Sequence, residues 1–142
     1  MLTRADWAGL IPHAGRMDLL DRVLHWDADS LEAEALAPDA AHPLVRAGRV
    51  HALHACEYAA QAAAVHGALL ARAAQATTAP GLLAALRAVQ LQHEWIGSAA
   101  PLHIAVWRLA ATTQAVQYRF AVAQCAAPLA QGQLLIAFGA KP

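Results

Sequence analysis

Residues 53–76 read LHACEYAAQAAAVHGALLARAAQA. This run has no proline and is dominated by alanine, the strongest helix former. It ends at the breaker cluster Thr77-Thr78-Ala79-Pro80-Gly81, so one long helix is expected over about 53–76. Glu57 and Arg72 are its only formally charged residues. A helix with no polar face is surrounded by protein, and side chains this small let a sheet approach closely. The neighbouring window 52–71 is the most membrane-like stretch of the chain. It carries Glu57, Gln61 and His66 mid-segment, and alanine supplies little transfer energy, so a buried helix fits better than a membrane span.

Strand signals lie on both sides of that helix. On the N-terminal side, residues 19–26 read as a strand and Asp27-Ala28-Asp29-Ser30 as a turn. Residues 31–37 alternate, with Glu32 and Glu34 on one face and Leu31, Ala33 and Ala35 on the other, as a half-buried strand does. A short helix is expected near 6–10, stopped by Ile11-Pro12, and a loop with Pro38, Pro43 and Gly48 leads into the long helix. On the C-terminal side, four strand-like runs are expected at about 84–95, 102–110, 115–123 and 132–138. Two strands, one buried helix and four strands predict an α+β fold, a six-stranded antiparallel sheet wrapped around one central helix. A helix lying flat on an open sheet is the alternative. Either form leaves an edge strand, which favours pairing with a second subunit.

At 142 residues, with no linker and no repeat, the chain is expected to form a single domain over 1–142. It is 58% hydrophobic and 14% charged, against about 25% charged in ordinary domains. Nine of the ten basic residues are arginine. Alanine bias and arginine preference suggest a GC-rich genome, which makes much of the composition background. Zero net charge excludes a polybasic nucleic-acid binder and an acidic disordered tail. The charge is nonetheless split. Residues 1–39 hold three bases against eight acids, net −5, and the remainder seven against two, net +5. No basic-then-apolar leader is visible at Met1, and Cys56 and Cys125 show neither metal nor redox spacing. A cytoplasmic location is expected.

After residue 39 the only acids are Glu57 and Glu94. Gln61 follows Glu57 by one helical turn, where its amide is placed to hold the carboxylate in one rotamer. Desolvation on an apolar helix favours the protonated carboxyl, which suits a general acid. A carboxylate in the first turn, held by the helix dipole and reaching solvent, is the bland alternative. His42, in the loop before the helix, is a candidate base for such an acid. His51, His54 and Glu57 share one broad helical face but lack the i,i+4 histidine pair of helical zinc sites, so pocket lining is the better reading and no metal is expected. His93-Glu94, read as strand neighbours, point to opposite faces. Cys56 has no base to activate it. Arg46 and Arg49 are placed to meet an anionic partner, or form an ordinary solvated loop.

These residues resemble the hot-dog-fold 3-hydroxyacyl-acyl carrier protein dehydratases of the FabA/FabZ type. The segment Ile11-Pro12-His13-Ala14-Gly15-Arg16-Met17-Asp18-Leu19-Leu20-Asp21-Arg22-Val23 is similar to their "PH…LLVDRV" motif. Glu57-Tyr58-Ala59-Ala60-Gln61-Ala62 is similar to their helix motif and to the "G-I-E-Y-x-A-Q" of the aryl-polyene-associated dehydratase branch. The resemblance implies a hot-dog dimer with composite sites, a histidine from one subunit and a carboxylate from the other. It gives Glu57 the acid role, Gln61 its support, His42 the base role and His13 a second candidacy for it. It also implies a backbone N–H near Ala52 that holds the thioester carbonyl, and a phosphopantetheine arm leaving past Arg46 and Arg49. No cofactor is implied beyond that arm, which carries the substrate on acyl carrier protein. The family's "HFPG" is here His42-Pro43-Leu44-Val45, and its "MPG" is Val50-His51-Ala52. Those departures keep two rivals in view, a hot-dog thioesterase and a non-catalytic partner subunit of a heterodimeric dehydratase.

Overall fold

The alanine-rich stretch folds as α2, Ala55–Ala73, entered through a 3₁₀ turn over Ala52–His54. This is seen in a computed structural model of the chain, which describes residues 1–11, 17–76 and 81–139. Before α2 come β1 (Leu2–Thr3), α1 (Arg4–Trp7), β2 (Arg22–Trp26), β3 (Ser30–Ala35) and β4 (Val50–His51). After it come β5 (Gly81–Leu91), β6 (Trp95–Ile96), β7 (Leu102–Ala111), β8 (Ala115–Gln124) and β9 (Ala127–Phe138). The main sheet is antiparallel, with strand order β1-β2-β3-β7-β8-β9-β5. Its middle strands β3, β7, β8 and β9 pack on α2. Period-two alternation turns Leu31, Ala33 and Ala35 of β3 and Val116, Tyr118, Phe120 and Val122 of β8 inward against the alanines of the helix.

Three strand expectations need correction. The sheet has seven strands rather than six, because Leu2–Thr3 adds β1 at one edge. The run 84–95 is two elements: β5 ends at Leu91, and Trp95–Ile96 pairs instead with β4 in a separate two-stranded ribbon. The last strand, expected at about 132–138, starts earlier, at Ala127. Gly132 sits in it because a Cβ would stand 3.1 Å from the Arg87 carbonyl and from the Val89 backbone, where β5 bulges.

The β8–β9 turn is Cys125-Ala126, with φ of 55° and 60° at two non-glycine residues. A two-residue hairpin with positive φ at both positions wants Asn-Gly. The double substitution Cys125→Asn/Ala126→Gly is therefore expected to stabilise the fold by about 1 kcal/mol in denaturant unfolding.

Opposite Tyr118 on the helix, His66 is fully buried. Its Nε2–H donates to the Asp27 carbonyl at 2.7 Å, and its Nδ1 accepts from the Tyr118 hydroxyl at 2.6 Å. Burial pushes the His66 pKa down and the Tyr118 pKa up. The unfolded chain, with an ordinary histidine, then binds the proton first as pH falls. Stability is full above about pH 6.5 and is lost below it, toward the lowered folded-state pKa, by about 1.4 kcal/mol per pH unit from this group. Thermal unfolding between pH 8 and 5 checks this: His66→Gln is expected to be less stable throughout and to lose that part of the pH slope.

Two features of the fold are left partly uncovered. Glu57, Ala60, Ala64, Gly67 and Ala71 form a half-buried stripe along α2; Ala60 and Ala64 pack on the core, and Gly67 and Ala71 line a cleft with Arg108, Tyr118 and Phe138. At the sheet's end, β5 is an eleven-residue edge strand with Leu82, Leu83, Leu86 and Leu91 exposed, Leu82 to 68%. Long apolar edges of this kind require a partner to be soluble.

Candidate active site

Glu57 stands in the first turn of α2, at the head of the half-buried stripe. Its Oε1 lies 3.4 Å from His54 Nδ1, and its Oε2 is enclosed with no hydrogen-bond partner. The side chain as a whole is 41% exposed. The Glu57 side chain is therefore less buried than expected on a buried helix.

Gln61 does not hold Glu57. Its Oε1 accepts from the Leu19 N–H at 2.9 Å and its Nε2 donates to the Met17 carbonyl, so both ends of the amide are committed across the fold. The cause is the turn of the helix: Gln61 faces inward and is 2% exposed, whereas Glu57 faces outward. Nor is the Ala52 N–H open to a thioester carbonyl, because it donates to the Glu94 carbonyl at 2.8 Å. That bond seats the helix start on the β4–β6 ribbon. Glu94 itself lies in the link before β6 rather than in a strand, and so does His93.

His42 is half-buried in the loop before β4. Its Nδ1 accepts from the Leu44 N–H at 3.2 Å, and its Nε2 lies 3.1 Å from the Tyr58 hydroxyl. Tyr58 is a further residue of the site, one that spacing alone does not single out. The available signal was its place beside Glu57: one residue further along a helix is a rotation of about 100°, from the outer stripe to the core. Burial pushes the Tyr58 pKa up to about 12, so it stays a neutral phenol. A cleft of about 430 Å³ beside this loop is lined by Arg4, Asp18, Asp21, Asp39, His42 and Pro43 among others.

Arg46 and Arg49 close a two-residue turn, bonded N–H to C=O in both directions, with φ of 53° at Ala47 and 77° at Gly48. Both arginines are exposed: the Arg46 guanidinium donates to the Pro43 and Val45 carbonyls at 3.2 and 2.8 Å, and the Arg49 guanidinium lies 4.2 Å from the centre of the Trp95 ring. Burial raises the Cys56 thiol pKa, which leaves it a poor nucleophile. His13 lies outside the described residues. Among the described residues no group of three or more His, Cys, Asp or Glu is arranged to hold a metal, and no helix is long and apolar enough to cross a membrane.

The family profile described as "ApeP-like: ApeP dehydratase" matches residues 5–139. The chain belongs to the ApeP-like dehydratases. Its hot-dog fold recurs in solved structures. Against the ApeI:P dehydratase heterocomplex from Xenorhabdus doucetiae the TM-score is 0.85 at 20% identity, over 93% of this chain and 90% of that one. An HP0420 homologue from Helicobacter felis gives 0.68 at 15% identity, covering 94% and 88% of the two chains. A hypothetical thioesterase from Streptococcus pneumoniae TIGR4, solved with coenzyme A, gives 0.58 at 6%, covering 83% and 84%. No curated protein sequence matches the chain. For an ApeP-like dehydratase the geometry separates two groups. Glu57 faces outward with an orphaned oxygen, while the Gln61 amide and the Ala52 N–H are engaged within the fold.

Proposed function

We propose that this ApeP-like dehydratase removes water from 3-hydroxyacyl thioesters on acyl carrier protein, giving trans-2-enoyl thioesters, as one half of a hot-dog pair in the cytoplasm. The observation that carries the reading is the Glu57 Oε2, enclosed, without a hydrogen-bond partner among the described residues and at the head of the half-buried stripe of α2. An orphaned buried oxygen is costly and calls for a partner from outside. In its acid form Glu57 protonates the 3-hydroxyl as the C3–O bond breaks. A base takes the C2 proton, the C2–H electron pair becomes the C2=C3 bond, and water leaves. The base's proton then returns to Glu57, and the atoms balance without a cofactor.

The apolar edge of β5 supports a second hot-dog subunit, and the outer stripe of α2 borders an acyl chain lying between the two. Arg46 and Arg49, both exposed in the turn before α2, suit the phosphate of a phosphopantetheine arm and an acidic carrier. Both free cysteines fit a reducing compartment.

The test is the product. With 3-hydroxydecanoyl-pantetheine as probe, the protein is expected to form the conjugated enoyl thioester with no free thiol. Thiol release without enoyl product would instead select the thioesterase reading.

A further inference from the structure

Of the histidines leading into α2, His42 and His51 serve the backbone. His42 Nδ1 accepts the N–H of Leu44 at 3.2 Å, and His51 Nδ1 accepts the N–H of Leu53 at 3.1 Å, with the His51 ring edge-on to Trp95. His54 differs. It closes the 3₁₀ turn and stands at the N-cap of α2, yet its side chain makes no capping bond. Its Nδ1 lies instead 3.4 Å from Glu57 Oε1, three residues on, where side chains share one face of a helix. Within the ladder His51, His54 and Glu57, the last two are the pair that meets.

Stability does not account for that pair. A cation sits badly at a helix N-terminus, and a partly exposed ion pair contributes little. Chemistry accounts for it better. A general acid gives up a proton in each turnover and must be recharged before the next. The two oxygens of Glu57 divide that work. Oε2 is enclosed, without a hydrogen-bond partner among the described residues, and in the dehydratase reading it faces the departing hydroxyl. Oε1 faces His54, whose side chain is one-third exposed and so meets water. An imidazole takes a proton at one ring nitrogen and releases one from the other. At 3.4 Å the contact is long, as catalytic hydrogen bonds commonly are before a substrate binds.

We propose that His54 is a positioning residue that holds Glu57 through Oε1 and returns a proton to it from water after each elimination. The inference rests on the dehydratase reading above. Elimination leaves Glu57 as the carboxylate and the base with one extra proton, which passes to water. A neutral His54 ring with its proton on Nδ1 then takes a proton from water at Nε2 and gives the Nδ1 proton to Oε1. The ring, now protonated on Nε2, regains its first form by exchange with water. One proton leaves and one arrives, and no electrons are exchanged.

The experiment uses the full chain in its assembled form, with 3-hydroxydecanoyl-pantetheine as probe and a melting curve for each variant. His54→Ala opens a space for free imidazole, and His54→Gln keeps a hydrogen-bond donor for Oε1 but cannot pass a proton on. Both are expected to lower the steady-state dehydration rate by about tenfold or more, while the first turnover, which uses a proton already on Glu57, stays within about twofold. Added imidazole is expected to raise the steady-state rate of His54→Ala by about threefold or more, and to leave the unmutated protein unchanged and Glu57→Gln inactive. A first turnover slowed as much as the later ones, a His54→Gln variant at full rate, or no response to imidazole in folded His54→Ala overturns the inference. The dehydratase reading then still stands, provided Glu57→Gln is inactive. A Glu57→Gln variant at full rate overturns that reading and the inference with it. Where His54→Ala does not fold, the first turnover of His54→Gln set against its later ones decides alone.

Discussion

Replacing Glu57 by Gln is expected to lower dehydration by about 10²–10⁴-fold, the usual worth of a general acid, with thermal unfolding nearly unchanged. The fold is indifferent because Glu57 contributes little to it. Its side chain is 41% exposed, and its polar contact among the described residues is with His54, itself a third exposed. An exposed pair of that kind contributes little to stability. The chemistry is sensitive because the glutamine amide is close in shape and has no acidic proton to give to the departing hydroxyl. Rates under substrate saturation, together with melting curves, check the two halves of this expectation. A variant that unfolds early, or one that retains full rate, would remove Glu57 from the role assigned to it.

The opposite pattern is expected at Gln61. Gln61→Leu removes the amide that pins α2 to the segment before β2 and leaves both the Leu19 N–H and the Met17 carbonyl without their partner. Each orphaned backbone group costs about 1–3 kcal/mol, so a loss of about 2–4 kcal/mol is expected. In a domain of this size that lowers the melting temperature by roughly 6–15 °C. Had Gln61 held Glu57, the same substitution would leave stability almost untouched and act on rate alone. Differential scanning calorimetry separates the two roles.

These paired expectations show what sequence reveals well and poorly in this chain. The central helix was legible because propensity, length and the breaker at residues 77–81 all agree. The inner strands were legible because one buried face imposes period two, as with Leu31, Ala33 and Ala35. The β8–β9 hairpin was hidden because Cys125-Ala126 adopts a geometry usually signalled by Asn-Gly, and Gly132 marks a close backbone approach rather than a turn. The weak edges were hidden for another reason. Leu2–Thr3 and Trp95–Ile96 are too short for any periodicity to show.

At the site, the identity of the acid was readable because an isolated Glu in an alanine helix stands out. The partners of the neighbouring polar groups were not readable. Gln61 bonds residues more than forty positions away, and the Ala52 N–H bonds the carbonyl of Glu94, contacts that exist only once the sheet has closed. Spacing alone predicted a Glu57–Gln61 pair, but i,i+4 neighbours straddle the boundary between the outer and inner faces of this helix. His42 shows the same limit more sharply. Its spacing suggested a base, and only the hydrogen bonds of its two ring nitrogens show where its lone pair points.

The central claim is that Glu57 drives reversible loss of water from C3 of a thioester-bound chain. Incubating the assembled protein with 3-hydroxydecanoyl-pantetheine in oxygen-18 water tests it most directly, because elimination and re-addition exchange the C3 oxygen and hydrolysis labels only a released carboxylate. Mass spectrometry is expected to find the label at C3 in the intact thioester, with exchange lost in Glu57→Gln. Label in free decanoate-type acid alone, or undiminished C3 exchange in Glu57→Gln, would contradict the account.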